Sequence, residues 1–272
     1  MPDILQAALL GVVQGLTEFL PVSSSAHLIL ARAFFGFDAD RFGLSFDVAC
    51  HVGTLVAVLI YFREDLVRMV AAVPRALGGP TTRDRDARLI WLLVVGTIPA
   101  VIVGLLFGKP IEERMRTPAV AAVMLAAGAI LMLAAERTGR KTRDDVSLTM
   151  TEAFWIGCAQ AAALVPGVSR SGITITLALF LGLRRAEAAR FIFLLAIPAI
   201  LGAAAHEAPK VLKAGFPGDT AALFAIGVVT SAIVGYFAVK YFIRYLANHT
   251  LDAFAWYRIA LAAAAAVWLW RP

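Results

Sequence analysis

EFLPVSSSAH, residues Glu18–His27, sets a carboxylate, a proline, three hydroxyls and an imidazole in the middle of the apolar run Ile4–Gly36. Hydrocarbon penalises each of these groups, because it offers no partner for a charge, a hydroxyl or a broken backbone. The rest of the chain makes the question sharper. Its 272 residues are 60% apolar and 16% charged, with a mean hydropathy of +0.80. Soluble domains carry roughly 45–50% apolar and 25% charged residues. The excess apolar surface faces lipid, so the chain reads as an all-α polytopic membrane protein, one transmembrane domain over residues 1–272.

Six runs read as plain spans: Leu44–Phe62, Leu89–Gly108, Pro118–Ala135, Phe191–Ala205, Ala221–Val239 and Ala253–Trp270. Two segments do not, Ile4–Gly36 and Glu152–Leu183. Each is too long for one crossing and is broken by proline and a serine cluster, LPVSSSAH in one and VPGVSRSG in the other. Two short helices around a polar break predict a re-entrant helical hairpin, and such a break survives only where protein or a wet cavity satisfies its backbone.

Lys and Arg counts orient the chain. The segments Arg63–Arg88, Arg137–Thr151, Arg184–Arg190 and Lys240–Asp252 hold the larger share. Arg41, Lys109, Arg114, Arg116, Lys210, Lys213 and Arg271 fall on the other side. With both broken segments re-entrant, the positive-inside rule puts both termini outside. The start, MPDILQ, has no basic stretch and carries Asp3, so no cleaved signal peptide is expected. Cys50 and Cys158 sit alone in apolar runs and read as packing residues. The net charge of +6 is explained by basic loops at a membrane face, and no nucleic-acid partner is expected.

The two broken segments repeat one another. Laying Gly11 on Gly157 also lays Gln14 on Gln160, Val22 on Val168, Ser23 on Ser169, Ser25 on Ser171 and Gly36 on Gly182. Three spans lie between the copies. An odd number inverts the second, giving inverted repeats of about 4–135 and 152–270, with the breaks meeting near the midplane. The copies differ where chemistry would sit. Glu18 falls on Leu164, His27 on Ile173 and Ser24 on Arg170.

Gln14 and Glu18, four apart, share a helix face. So do Ser24 and Ser23 with His27. Ser23–Ser25 and Ser169–Ser171 each open a helix, where serine caps and free N–H groups bind anions. Arg170 adds a planar fork suited to phosphate oxygens. Glu18 and His27 supply proton transfer or nucleophilic attack, and Glu18 is also a hard oxygen for a divalent metal. Hydroxyls in membrane helices also bond to their own backbone, the plainer reading for any one of them. His51, with Asp47 one turn before it, reads as helix packing with a pocket role as the alternative. Arg258 reads as a snorkelling or paired residue outside the chemistry. Trp256, Trp268 and Trp270 suit an interfacial belt. Gly104, Gly128, Gly202, Gly227 and Gly235 read as sites of close helix packing.

GVVQGLTEFLPVSSSAH, Gly11–His27, and PGVSRSG with Thr174, Pro166–Gly172, resemble the two signature motifs of the bacterial undecaprenyl pyrophosphate phosphatases of the bacitracin-resistance type. The resemblance covers essentially the whole chain. It implies an inner-membrane enzyme that removes the terminal phosphate of undecaprenyl diphosphate, yielding the lipid carrier for wall polymers. It also implies a periplasmic active site, dependence on a divalent metal such as Mg2+ or Ca2+, inverted re-entrant repeats and a homodimer. By position, Glu18 matches the second acid of the first motif, and Gln14 its first position, where the family uses Glu or Gln. Ser24 and His27 match the nucleophile and its partner. Ser169 and Arg170 match the phosphate-binding pair, beside which Ser23, Ser25, Ser171 and Thr174 are expected to line the phosphate. The expected reaction has Ser24 or His27 attacking the terminal phosphorus, with Glu18 orienting or accepting a proton; Ser24 with His27 as base is the preferred form. The rival reading on the same architecture is transport, either a lipid-phosphate flippase or an ion-coupled carrier.

Overall fold

The computed structural model describes residues 2–38, 41–80, 84–214 and 220–270. Of the loop cations that orient the chain, Arg83 and Arg271 lie outside the described residues, as do the side chains of Lys210 and Lys213. The described residues form eleven α-helices and no strand. These are α1 Asp3–Phe19, α2 Ser24–Phe35, α3 Leu44–Tyr61, α4 Arg63–Ala76, α5 Arg85–Met115, α6 Pro118–Thr138, α7 Met150–Ala162, α8 Arg170–Phe180, α9 Arg185–Ala214, α10 Thr220–Leu246 and α11 Asp252–Leu269.

Six helices, α3, α5, α6, α9, α10 and α11, are long and apolar enough to cross a bilayer, and they are the six spans expected. Several overrun their apolar runs. Thirty-one residues make α5 about 46 Å long, well beyond the roughly 30 Å of hydrocarbon. The overrun has a local cause: the Asp84 carboxylate caps the start by accepting from Ala87 N–H at 2.9 Å. The centre of the bundle is α9, where Phe191, Phe193, Leu194 and Leu195 are all fully or almost fully buried. A helix apolar on every face belongs there.

The basic segment Arg63–Arg88 is more than a loop. Its first half is α4, with Glu64 and Asp65 in the first turn and Arg75 in the last, matched to the helix dipole. Ala72 and Ala76 pack against Ala87, Ile90 and Trp91 of α5, while Val67, Val70 and Val73 stay exposed. The glycines divide. Added methyls at Gly128 and Gly227 would overlap Arg258 and the Phe46 ring, and one at Gly235 would press on Ala57 and Phe19. Gly104 has only Leu164 nearby, at 3.9 Å, and Gly202 has nothing within 4 Å, so neither serves close packing. Cys50 and Cys158 are both free thiols, Cys50 buried.

Each broken segment is a helix pair, α1–α2 around Leu20–Ser23 and α7–α8 around Ala163–Ser169. The matched serines Ser23 and Ser169 have the same left-handed backbone, φ 74° and 71°. Both cap the helix that follows, Ser23 accepting from Ala26 N–H and Ser169 from Gly172 N–H. L-residues avoid this region, so surrounding structure must hold it. Part of that support is mutual. Gly167 N–H in the second break donates to Ser25 Oγ at 3.4 Å, and Ser171 Oγ donates to Leu20 O of the first at 3.1 Å.

The larger part is Arg258, which is fully buried and donates to no carboxylate. Its guanidinium reaches Pro21 O in the first break at 3.1 Å and Gly167 O and Val168 O in the second at 3.1 and 3.0 Å. It also reaches Met124 O and Leu125 O of α6, both at 3.2 Å. Of the two readings, snorkelling and pairing, the structure shows pairing, with five backbone carbonyls. Replacing it should strand those acceptors together. We expect Arg258→Met to lose more than about 3 kcal/mol of stability, read as a marked fall in the thermal unfolding midpoint in detergent. A variant melting with the parent would refute the clamp.

Candidate active site

α1 ends at the first break, and its last turn carries Gln14 and Glu18 on one face. Gln14 is wholly buried, and the Glu18 side chain is 3% exposed. Four groups converge on the Glu18 carboxylate. Ser24 Oγ, from the first turn of α2, donates to Oε2 at 2.6 Å. Gln14 Nε2 donates to the same oxygen at 2.9 Å. His51 Nε2, from α3, stands 3.2 Å from it. The other oxygen, Oε1, is paired with Arg170 at the start of α8. One carboxylate thus ties four helices, and the two breaks supply opposite charges to one point. The Arg170 and His51 side chains are 19% and 28% exposed, so the cluster opens on that side.

His27 is placed differently from expectation. Its Nδ1 lies 2.8 Å from Ser23 O, and its Nε2 lies 2.7 Å from the Tyr257 hydroxyl, with the two rings stacked. A carbonyl only accepts, so Nδ1 carries the proton and Nε2 accepts from Tyr257. No bond joins His27 to Ser24. The Ser24 hydroxyl is bonded to Glu18, whereas the preferred sequence reading paired it with His27. The reason is local: the carbonyl one turn back takes Nδ1 and points the ring at α11, while Ser24, at the helix start, turns towards α1.

The remaining hydroxyls hold the shape of the breaks. Ser23 and Ser25 lie 3.2 Å apart, Ser169 and Ser171 3.3 Å apart, and each pair carries the caps and cross-links above. Thr174 is buried and donates back to Arg170 O at 2.5 Å, the backbone bonding typical of hydroxyls inside helices. His51 and Tyr257 are the two site residues that the sequence left outside the chemistry. For His51 the signal was present, an intramembrane imidazole one turn after Asp47. Tyr257 has none beyond its aromatic ring.

A resident metal ion does not fit these side chains. Among the described residues no group of three or more His, Cys, Asp or Glu side chains is placed to hold one. Both Glu18 oxygens are engaged, and the one buried oxygen beside them without a partner is Gln14 Oε1. A hydroxyl on a carboxylate, with a guanidinium at the same point, is instead the pattern of a nucleophile, its base and a counter-charge for an anion.

Such a cluster, buried between two broken helix pairs among six apolar helices, defines a membrane-embedded hydrolase-type site for a phosphate-like group. Residues 7–264 match the family model described as bacitracin resistance protein BacA, and the chain belongs to that family. It is 53% identical over 270 residues to an undecaprenyl-diphosphatase of Rubrobacter xylanophilus, covering 99% of both chains. To proteins of the same name from Elusimicrobium minutum and Trichlorobacter lovleyi it is 46% identical over 256 residues and 45% over 259. These cover 94% and 95% of this chain and 94% of each relative.

Arg170 is the counter-charge most open to test. Arg170→Ala should lower hydrolysis about a thousandfold or more. Arg170→Lys should recover little, because a point charge cannot form the fork. Near-parental turnover by the lysine variant would overturn the clamp.

Proposed function

We infer that this chain hydrolyses undecaprenyl diphosphate to undecaprenyl phosphate and inorganic phosphate, recycling a wall-polymer lipid carrier, with the bacitracin resistance for which its family is named. The observation that carries the site assignment is the 2.6 Å bond from Ser24 Oγ to Glu18 Oε2 with Arg170 on the other carboxylate oxygen. A carrier has no need of a hydroxyl held on a base, and this pair favours chemistry over transport.

In the proposed reaction the lipid tail lies among the helices and the diphosphate enters beside Arg170. In the empty pocket Glu18 neutralises Arg170. An arriving phosphate takes over that role and frees the carboxylate. Ser24 Oγ then attacks the terminal phosphorus, its proton passing to Glu18. The bridging P–O bond breaks, and undecaprenyl phosphate leaves with the electron pair and takes the proton back from Glu18. Water, deprotonated at Glu18, next cleaves the phosphoserine; phosphate is released, and Glu18 returns the proton to Ser24 Oγ. Positioning and charge stabilisation supply most of the rate. His27, held by Ser23 O and Tyr257, borders the pocket as a second acid–base group. Ser169, Ser171, Ser23, Ser25 and Thr174 act by fixing the backbone that presents helix N-termini to the phosphates.

The same reading makes residues 1–272 one transmembrane domain of two inverted repeats, each opening with a re-entrant hairpin. Partner exchange supports it: α1 packs on α10, while its counterpart α7 packs on α5. The basic loops favour cytoplasmic placement of α4 and of the α6–α7 connection, with both termini and the pocket mouth on the periplasmic side of the inner membrane. The divalent cation belongs with the substrate, riding on diphosphate oxygens. A homodimer completes the proposal, with cross-linking in native membranes as its check.

Two measurements test this. Purified chain should release phosphate from undecaprenyl diphosphate; absence of release would refute the function. Acid quench of a reaction with terminally labelled diphosphate should leave label on protein, lost in alkali, as phosphoserine requires. Label that survives alkali and vanishes in acid would move the attack to His27. For position 14, Gln14→Glu sets a second carboxylate against Glu18 and should keep activity at saturating Mg2+ while losing it more steeply than the parent on chelation. Loss that no cation restores would make the amide bond from Gln14 to Glu18 its whole contribution, with no bearing on the ion.

A further inference from the structure

A second basic cluster lies one helical turn from the Glu18 site, where α2 ends and α3 begins. Asp47, 3% exposed, accepts from two arginines, Arg32 of α2 on Oδ1 and Arg116 of the α5–α6 connection on Oδ2. Among the contacts of the described residues, one carboxylate against two guanidiniums leaves a net positive charge, and the Arg32 side chain is only 10% exposed. Such an excess is costly away from water unless a further anion joins it. The donor inventory gives the same result. Arg32 Nε–H is buried with no partner among the described residues, and each guanidinium has donors beyond those that reach Asp47. Arg116, 24% exposed, leaves the cluster open to the outside.

The cluster is wired to the catalytic carboxylate. His51 Nδ1 lies 2.7 Å from Asp47 O, and its Nε2 stands 3.2 Å from Glu18. One turn of α3, about 6 Å of rise, separates the two. His51 thus joins the turn of α3 that carries the cluster to the Glu18 carboxylate. We propose that Arg32 and Arg116 form a second phosphate-binding site where α2, α3 and the α5–α6 connection meet, with Asp47 as the internal anion that phosphate displaces or joins. The ligand is a phosphate group, either inorganic phosphate or the head of a lipid monophosphate. The proposal rests on the hydrolase reading for its physiological ligand, but the binding itself is measured without turnover.

Equilibrium binding of labelled inorganic phosphate to the full chain in detergent tests it. The parent should bind at two sites. Arg170→Ala should remove one, and Arg116→Gln should weaken the other about tenfold or more. Asp47→Asn should tighten that second site, because it removes the competing carboxylate, an outcome that a purely structural ion triad would not give. Thermal unfolding of each variant checks that it is folded; should Arg116→Gln fail this check, Arg116→Lys, which keeps charge and loses the fork, replaces it and should weaken the site. Binding at one site only, or a second site indifferent to Arg116 and Asp47, overturns the proposal. Competition by undecaprenyl monophosphate against inorganic phosphate then identifies the source of the ligand. A chain that hydrolyses diphosphate yet binds a single phosphate refutes this site alone. Failure to hydrolyse refutes the function and leaves the binding result standing.

Discussion

Everything at the centre of this protein depends on one buried guanidinium. Two helices are broken inside the membrane-embedded bundle, and each break exposes carbonyls that hydrocarbon cannot solvate. Arg258 answers with a flat array of donors, meeting carbonyls of both breaks and of α6 at once. The bargain is reciprocal. A buried cation without a carboxylate needs several dipoles around it, and the breaks supply them. A lysine could not do this, because an ammonium has three donors on a tetrahedral head and no planar reach. Gly128 and Gly172 leave the room, for a methyl at either would press into the guanidinium.

From the clamp to the site is a short step. Pro21, one residue before the break's Val22 and Ser23, is tied to the residues just before Ser169. Ser24 and Arg170 therefore leave their matched caps from a shared platform. The platform is nearly symmetric and the chemistry is not. Where one copy has Glu18, the other has Leu164, which is 38% exposed. Where one has Ser24, the other has Arg170. A repeat that built only structure would have no use for this division. Placing acid and nucleophile on one copy and guanidinium on the other brings opposite charges together from separate helices, and the scaffold fixes their spacing before any substrate arrives.

The legible part of this design is the part that leaves a local mark. Six spans stand out because each is a run of apolar residues longer than a bilayer needs. The breaks stand out because proline and serine clusters interrupt such runs, and Gln14, Glu18 and Arg170 because charge and amide at depth are expensive. Arg258 carried the same mark, but its partners could not be named, since they are carbonyls, which every residue has and no sequence distinguishes. The direction of His27 was hidden for a related reason. Helical spacing brings it to the face of Ser24, but Ser23 O and Tyr257, far away in the chain, decide where the ring points. The helix α4 hid behind its own charges, which also served as a topological count. Glycine identity alone could not separate Gly128, against a guanidinium, from Gly202, facing open space.

The Glu18–Arg170 pair links the resting fold to the reaction. A lone guanidinium at this depth would be costly in an empty pocket, and so would a lone carboxylate, so each neutralises the other until substrate comes. A diphosphate offers Arg170 more negative charge than one carboxylate does and a better match to its fork. In the proposed reaction Arg170 turns to phosphate and releases Glu18, to which Ser24 is bonded at 2.6 Å in the resting state. The nearest proton is then the serine's. On that reading binding and activation are one event: the carboxylate is free to act as base when a phosphate is there to be attacked, and in the resting fold the same contact holds the two breaks together.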